Sequence, residues 1–122
     1  MNLIIPKDCD NAPKKKIIAE FIRYFYMNDS DKLEELLTEG FIFHRVGIGK
    51  IHSISDLKNY SSAVKNPEEV EIISLITHGK LAACDLILKN SNQIYQIAYI
   101  FKFQSAAKNY ISRISEYKIL YH

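Results

Sequence analysis

The second half of the chain contains long segments of β-forming residues that are separated only by short, turn-forming links. Branched and aromatic residues fill the segments, whereas the links at 78–80 and 90–92 are rich in turn formers. Links this short cannot hold the crossover that parallel strands need, so neighbouring segments should pair antiparallel. We therefore predict an antiparallel meander with strands at about 69–77, 81–89, 93–103 and 110–121.

The third of these segments has one strongly aromatic face. Side chains alternate between the two faces of a strand, so Tyr95, Tyr99 and Phe101 share a face that other apolar elements must cover. The opposite, outer face carries more apolar surface than a solvated sheet face usually shows, and such a patch predicts a homodimer interface. The residues assigned to this outer face are Ile94, Ala98, Ile100, Ile111, Tyr117 and Ile119.

Helical patterns precede the meander. The first has a stripe of Ile and Phe residues at helical spacing and begins near Pro13, because proline is well tolerated in a first turn. The second is short and should end at Gly40, and the third should run from Ser55 to the residues before Pro67. Aromatic and branched residues at 41–46, followed by a glycine-containing turn, predict two strands between the second and third helices.

This order, α-α-β-β-α-β-β-β-β, predicts an α+β fold with three N-terminal helices packed on one face of a curved, mostly antiparallel β-sheet. A chain of 122 residues with 48% hydrophobic residues should form one globular domain, which we place at 11–122 after an N-terminal arm at 1–10. A net charge of +2 is too small to indicate a nucleic-acid-binding face. No apolar run approaches the ~20 residues that span a bilayer, so we expect a cytoplasmic protein with no membrane partner.

The sequence contains no pattern typical of a metal or cofactor site. The histidines, His44, His52, His78 and His122, lack the spacing of metal ligands. The glycine-containing turn at 47–50 is too short for a phosphate-binding loop. We therefore predict neither a metal nor a cofactor.

Two segments resemble those of a known family. The segment from Phe25 to His44 combines a helix end, an Asn-Asp turn, a leucine-rich short helix and a strand, and Ser53 to Tyr60 is similar to a third-helix motif. In this order they resemble the nuclear transport factor two-like superfamily, which includes SnoaL-like and ketosteroid-isomerase-like proteins. The resemblance spans about Pro13 to Tyr121. It implies a cystatin-like cone, in which the curved sheet and the helices enclose a cavity.

The ketosteroid isomerase mechanism is not expected in this chain. By the resemblance, Phe21 stands at the position of the oxyanion-hole tyrosine, Arg45 at that of the catalytic aspartate and Tyr99 at that of the second oxyanion-hole acid. Proton abstraction needs a base, and a guanidinium cannot be deprotonated in a protein. These replacements argue against isomerisation by that route and leave open whether the chain is an enzyme.

Arg45 is the candidate polar anchor of the cavity, because it shares strand parity with the aromatic residues before it. A guanidinium there would bind a carboxylate or another anion. The alternatives are an ion pair with Glu116 or a position at the rim. Arg45, Tyr99 and Glu116 are also the candidates for acid–base catalysis, with Glu116 and Ser112 expected on the inward face of the last strand. The alternative for Tyr99 is a core tyrosine with a satisfied hydroxyl.

The expected function is binding of a small, largely apolar molecule, with an anionic group as an option, in an aromatic-lined cavity. Two alternatives stay open. One is a non-catalytic dimerisation or protein-interaction module whose cavity is filled by its own side chains, and the other is a lyase, cyclase or hydrolase acting in the cavity. The residues expected to line the cavity are Phe21, Phe25, Phe43, Arg45, Tyr99, Phe101 and Ser112.

Overall fold

A computed structural model of the chain describes residues 1–7, 12–63 and 67–121, apart from the side chain of Tyr121. It has the helices and the mostly antiparallel sheet of the predicted α+β fold. The predicted boundary between arm and domain, at residues 10 and 11, lies outside the described residues, as does His122. The elements in chain order are β1 (Asn2–Ile4), α1 (Pro13–Tyr26), α2 (Ser30–Glu35), β2 (Leu37–Arg45), β3 (Gly49–Ile51), α3 (Ile54–Ala63), β4 (Glu69–His78), β5 (Leu81–Asn90), β6 (Gln93–Phe103) and β7 (Ile111–Tyr121).

The strands form a 7-stranded sheet in the order β1-β4-β5-β6-β7-β2-β3. Strands β4 to β7 are the predicted meander, in which each strand pairs antiparallel with the next. β2 pairs parallel with β7 and carries the short antiparallel strand β3 on its other side. The parallel pairing places Arg45 of β2 beside Glu116 of β7.

The first strand is absent from the predicted order. Residues 2–4, which we placed in the N-terminal arm, pair in parallel with residues 69–71 at one edge of the sheet. A three-residue strand is too short to show alternation, so only the presence of β4 beside it reveals the pairing. The observed order is therefore β-α-α-β-β-α-β-β-β-β.

The second helix is shorter than predicted. It ends at Glu35 instead of Gly40, and β2 already begins at Leu37. The Ile111 amide donates to the Leu36 carbonyl at 2.9 Å, so the start of β7 satisfies a carbonyl that a longer helix would have bonded. The leucine spacing in this segment is compatible with a helix and also with the start of a strand. The hydrogen bond to β7 favours the strand.

Helix α1 supplies the helical wall of the core. Pro13 stands at its start, and the predicted apolar stripe faces the sheet. Beyond the helix end, Asn28 takes a left-handed φ of 58°, a conformation that asparagine tolerates better than most residues. No helix in the described part of the chain has the length and apolar character needed to cross a membrane. The buried residues of α1 are Ile18, Ala19, Phe21, Ile22, Phe25 and Tyr26.

Strand parity is confirmed along β6 but fails at the start of β7. Tyr99 has 0% exposure, whereas Ile100 next to it is 47% exposed on the outer face. Ile111, which we assigned to the outer face, is instead fully buried. The β6–β7 register shifts between Lys102 and Phe103, and such an irregularity reverses the faces of the residues on one side of it.

Candidate functional site

The five aromatic side chains that we expected to line a cavity form the centre of the core. Phe21, Phe25, Phe43, Tyr99 and Phe101 each have 0% exposure. The centroid of the Phe21 ring lies 5.4 Å from that of Phe101 and 5.8 Å from that of Phe25. Phe43 stacks on Phe25 at 5.8 Å, and Tyr99 packs against Phe101 at the same distance. These side chains fill the space between α1 and the sheet.

A chain of hydrogen bonds runs from this core to the surface. The hydroxyl oxygens of Tyr26 and Tyr99 lie 2.6 Å apart, and the Tyr99 hydroxyl donates to Glu116 Oε2 at 2.9 Å. Because a hydroxyl has only one proton, Tyr26 donates to Tyr99 in this arrangement. The Tyr60 hydroxyl donates to Glu116 Oε1. Both oxygens of Glu116, which is only 3% exposed, are therefore satisfied by tyrosines.

The environment keeps these tyrosines protonated. Burial raises the pKa of Tyr26 and Tyr99 well above the ordinary value of 10.0, and the nearby charge of Glu116 raises it further. Burial and Glu116 also raise the pKa of Tyr60, and the charge of Arg45 opposes that rise. At neutral pH the three hydroxyls are therefore neutral: those of Tyr60 and Tyr99 donate to the buried glutamate, and that of Tyr26 donates to Tyr99.

The guanidinium of Arg45 lies on the face of the Tyr60 ring. Its central carbon is 4.0 Å from the ring centroid, a cation–π contact. Within the described residues, Arg45 and Glu116 form no salt bridge, although they are partners in the strand register. The Nε of Arg45 is buried and has no hydrogen-bond partner in the described part of the chain. A buried donor without an acceptor is uncommon and needs an explanation.

A pocket of about 400 Å³ opens beside this guanidinium. Its wall combines cations, amides and tyrosine rings that come from β2, α3, β5, β6 and β7. The pocket meets the chain of hydrogen bonds at Tyr60, which lines the pocket and reaches Glu116. The described lining residues are Arg45, Tyr60, Ala63, Asn90, Gln93, Tyr95 and Lys118.

Lys118 is the second cation of this pocket. Its ammonium nitrogen lies 4.6 Å from the centroid of the Tyr95 ring. Desolvation lowers the pKa of Lys118; the negative charge of Glu116 opposes this shift and the positive charge of Arg45 adds to it. Since Arg45 and Lys118 both line it, the pocket is positively charged at its mouth.

Ser112 lies apart from the pocket. We expected it on the inward face of β7, but its hydroxyl donates to the Lys102 carbonyl of β6 at 3.0 Å. The register shift that turns Ile111 inward also removes Ser112 from the face that Ile114 and Glu116 share.

Sequence reasoning missed three members of the site. Tyr60 entered only as the end of the third-helix motif, and neither Tyr26 nor Lys118 was identified as a site residue. Parity carried a signal for Lys118, because it follows Glu116 by two positions and so shares its face. Periodicity assigns side chains to faces and not to hydrogen-bond partners, so the roles of the two tyrosine hydroxyls had no signal.

A larger pocket of about 480 Å³ lies between α2, the start of β2 and the start of α3. Its ionisable residues, Glu34, Glu39 and His52, are exposed at its rim. Within the described ranges, no three His, Cys, Asp or Glu side chains are grouped as metal ligands would be. The smaller pocket is the better candidate site, because a buried hydrogen-bond network adjoins it.

No protein family model matches the chain, and no curated protein matches it significantly. Solved structures share its architecture. An NTF-2 like protein of unknown function from Burkholderia xenovorans LB400 has a TM-score of 0.74 at 13% identity, over 87% of this chain and 82% of that one. A protein of unknown function with a cystatin-like fold from Methylobium petroleophilum PM1 has a TM-score of 0.72 at 16% identity, over 87% and 75%.

A third similar structure is that of the epoxide hydrolase/cyclase-like enzyme SalBIII, which is described as acting in pyran ring formation in the polyether salinomycin. Its TM-score is 0.71 at 19% identity, over 91% of this chain and 94% of that one. At identities this low, a structural likeness concerns the fold and not the activity. Together these likenesses show that the chain has the fold of the nuclear transport factor two-like superfamily.

Proposed function

We propose that this protein binds a small organic carboxylate in the pocket that Arg45 lines. The observation that carries the proposal is the Arg45 guanidinium, which lies against Tyr60 at the pocket wall with a buried Nε that has no acceptor in the described residues. A carboxylate bound side-on to a guanidinium accepts from Nε and from one terminal nitrogen. Such a ligand would supply the acceptor that Nε lacks.

The size and charge of the pocket support the same ligand class. About 400 Å³ is within the range of small-molecule sites, and Lys118 adds a second positive charge. The tyrosine rings of Tyr60 and Tyr95 offer apolar contact, while Asn90 and Gln93 offer amide groups. A small ring-bearing acid such as benzoate matches both the positive charges and the tyrosine rings of the pocket. This ligand is more polar than the largely apolar molecule expected from the aromatic strand, because the aromatic side chains themselves occupy the core.

Titration calorimetry with benzoate tests the proposal. We expect binding to the full chain and none of the uncharged analogue benzyl alcohol. Arg45→Gln should weaken benzoate binding at least ~10-fold, since a charge-assisted hydrogen bond is lost. Arg23→Gln, on the exposed side of α1, is the matched control and should bind like wild type. Equal binding by Arg45→Gln and wild type, or no binding of benzoate by wild type, would overturn the proposal.

A catalytic role is the second candidate function. It is favoured by Tyr60, which lines the pocket and whose hydroxyl donates to a buried carboxylate, so a proton could pass between ligand and Glu116. The fold also occurs in an epoxide hydrolase/cyclase-like enzyme. A lyase, cyclase or hydrolase of this kind would lose its turnover in Glu116→Gln, while benzoate binding persisted.

The filled core favours the remaining alternative, a non-catalytic interaction module. A protein of that class would bind no carboxylate, so the benzoate titration separates it from the leading proposal.

Both the carboxylate-binding proposal and the interaction-module alternative include a homodimer that forms through the outer face of the sheet. The support is a row of register partners, Ile76, Ala83 and Ile100, with Ile76 64% exposed and Ile100 47% exposed. Light scattering should show a dimer for wild type and a monomer for Ile100→Lys.

A further inference from the structure

Lys118 brings a primary amine to the pocket that Arg45 lines. It follows Glu116 by two positions on β7, so both side chains project from the same face of the strand. The side chain is exposed at the mouth of the pocket, beside the Tyr95 ring. A ligand whose carboxylate reaches Arg45 would therefore pass next to this amine.

Lys118 forms no salt bridge with any residue that the structure describes. Lys89, by contrast, forms a salt bridge with Glu69 at 3.2 Å. In the described part of the chain no salt bridge holds Lys118, and the carboxylate on its own face, Glu116, is already engaged by two tyrosine hydroxyls. An amine must lose its proton before it can act as a nucleophile, so the absence of an ion pair favours reactivity.

Desolvation acts in the same direction. It is the main cause that lowers the pKa of Lys118; the charge of Glu116 raises that pKa, and the smaller effect of the Arg45 guanidinium lowers it. At a given pH a larger fraction of this amine is therefore unprotonated than for a lysine in free solution. Desolvation next to another cationic group is a recognised way to activate a lysine for attack on a carbonyl group.

We propose that the pocket takes small oxo acids and that Lys118 captures their carbonyl carbon as an imine. The ligand's carboxylate lies on the Arg45 guanidinium, and its carbonyl group faces Lys118 Nζ. This inference rests on the proposed binding of carboxylates at Arg45 and adds the chemical class of the ligand.

The reaction is a condensation in which nothing is oxidised or reduced. The lone pair of neutral Nζ forms a bond to the carbonyl carbon, and the π electrons of the C=O bond pass to oxygen, which becomes a hydroxyl group. That oxygen then leaves as water, and a C=N bond forms. The two protons that nitrogen gives up are balanced by the two that the water carries away, so amine and carbonyl yield imine and water.

Reductive trapping with glyoxylate and sodium cyanoborohydride tests this inference on the full chain. Each capture leaves a stable carboxymethyl group that peptide mass mapping assigns to one lysine. We expect Lys118 to be labelled at least ~10-fold faster than Lys80, because the Arg45 pocket holds the reactants together. Lys80 is the internal control, since it lies in the β4–β5 turn, at the opposite end of β5 from the pocket.

Three comparisons decide the outcome. Acetaldehyde, which has no carboxylate, should show a much smaller preference for Lys118 over Lys80 than glyoxylate does, because only the lowered pKa of Lys118 then favours it. Arg45→Gln should reduce the preference of glyoxylate for Lys118 to that of acetaldehyde, and Arg23→Gln, on the exposed side of α1, should keep the full preference. Equal labelling of Lys118 and Lys80 by glyoxylate would overturn the proposed imine. If benzoate still binds in that case, the carboxylate site at Arg45 stands without the imine.

Discussion

Arg45 and Glu116 are partners in the parallel register of β2 and β7, yet their side chains do not meet as an ion pair. Tyr60 contacts both of them: its hydroxyl donates to Glu116, and its ring face receives the guanidinium. The buried glutamate is thus satisfied by tyrosine hydroxyls, which leaves the charge of Arg45 available to a ligand. This division of roles underlies the proposed function.

The tyrosine network should contribute unequally to stability. Tyr99→Phe removes a hydroxyl that bonds both Tyr26 and Glu116, and it should lower the free energy of unfolding by about 2–4 kcal/mol. Tyr60→Phe removes one bond to Glu116 and should cost about 1–3 kcal/mol. Urea unfolding at neutral pH measures both. A Tyr99→Phe protein as stable as wild type would contradict the network.

The same tyrosines predict a loss of stability at high pH. Tyr26 and Tyr99 have folded-state pKa values well above 10.0, the value expected in the unfolded chain. Their stabilising effect is complete below pH 10 and is lost as the pH rises above it, because only the unfolded chain releases the protons. Each group then lowers the free energy of unfolding by about 1.4 kcal/mol per pH unit.

Urea unfolding of wild type and Tyr26→Phe between pH 8 and pH 12 measures this slope. We expect the variant to be less sensitive to alkaline pH by the contribution of one tyrosine. Equal slopes for the two proteins would show that Tyr26 ionises as readily in the folded chain as in the unfolded one.

Lys14 holds the loop between β6 and β7. Its ammonium donates to the Ala106 carbonyl at 2.8 Å and to Asn109 Oδ1 at 2.9 Å, and it lies 4.9 Å from the Phe103 ring centroid. Lys14→Met should cost about 1 kcal/mol and speed amide hydrogen exchange in residues 104–110. Both residues 14 and 16 are near the start of α1, so Lys16→Met has the same effect on the helix dipole and is the matched control. Similar exchange in the two variants would contradict the role of Lys14.

Because its own side chains fill the aromatic core, a substitution in the core should lower the stability of the protein without changing its affinity for the ligand. Phe101 packs against Phe21 and Tyr99 and has no contact with solvent. Phe101→Leu should lower the free energy of unfolding by about 1–3 kcal/mol through lost packing, while benzoate affinity stays within ~2-fold of wild type. A large loss of affinity in the folded variant would indicate that ligands enter the aromatic core after all.

The sequence predicts the meander, the helical stripe of α1 and the inward face of β6, because each extends over enough residues for its periodicity to show. It fails at β1 and at the start of β7, where a three-residue strand and a register shift leave no periodic signal. Strand parity predicted that the side chains of Arg45 and Glu116 face the interior of the fold. It could not show that Tyr60 contacts both, since α3 and the sheet are distant in sequence and only their packing brings them together.

The most direct test of the central claim uses the Nε–H group of Arg45 itself. The chain has three arginines, Arg23, Arg45 and Arg113, so their Nε–H signals in a proton–nitrogen correlation spectrum can be assigned by substituting each with Lys. During a titration with benzoate, we predict a saturable shift of the Arg45 signal while the other two stay unchanged. A titration that moves no arginine signal, or moves all three alike, would contradict a carboxylate site at Arg45.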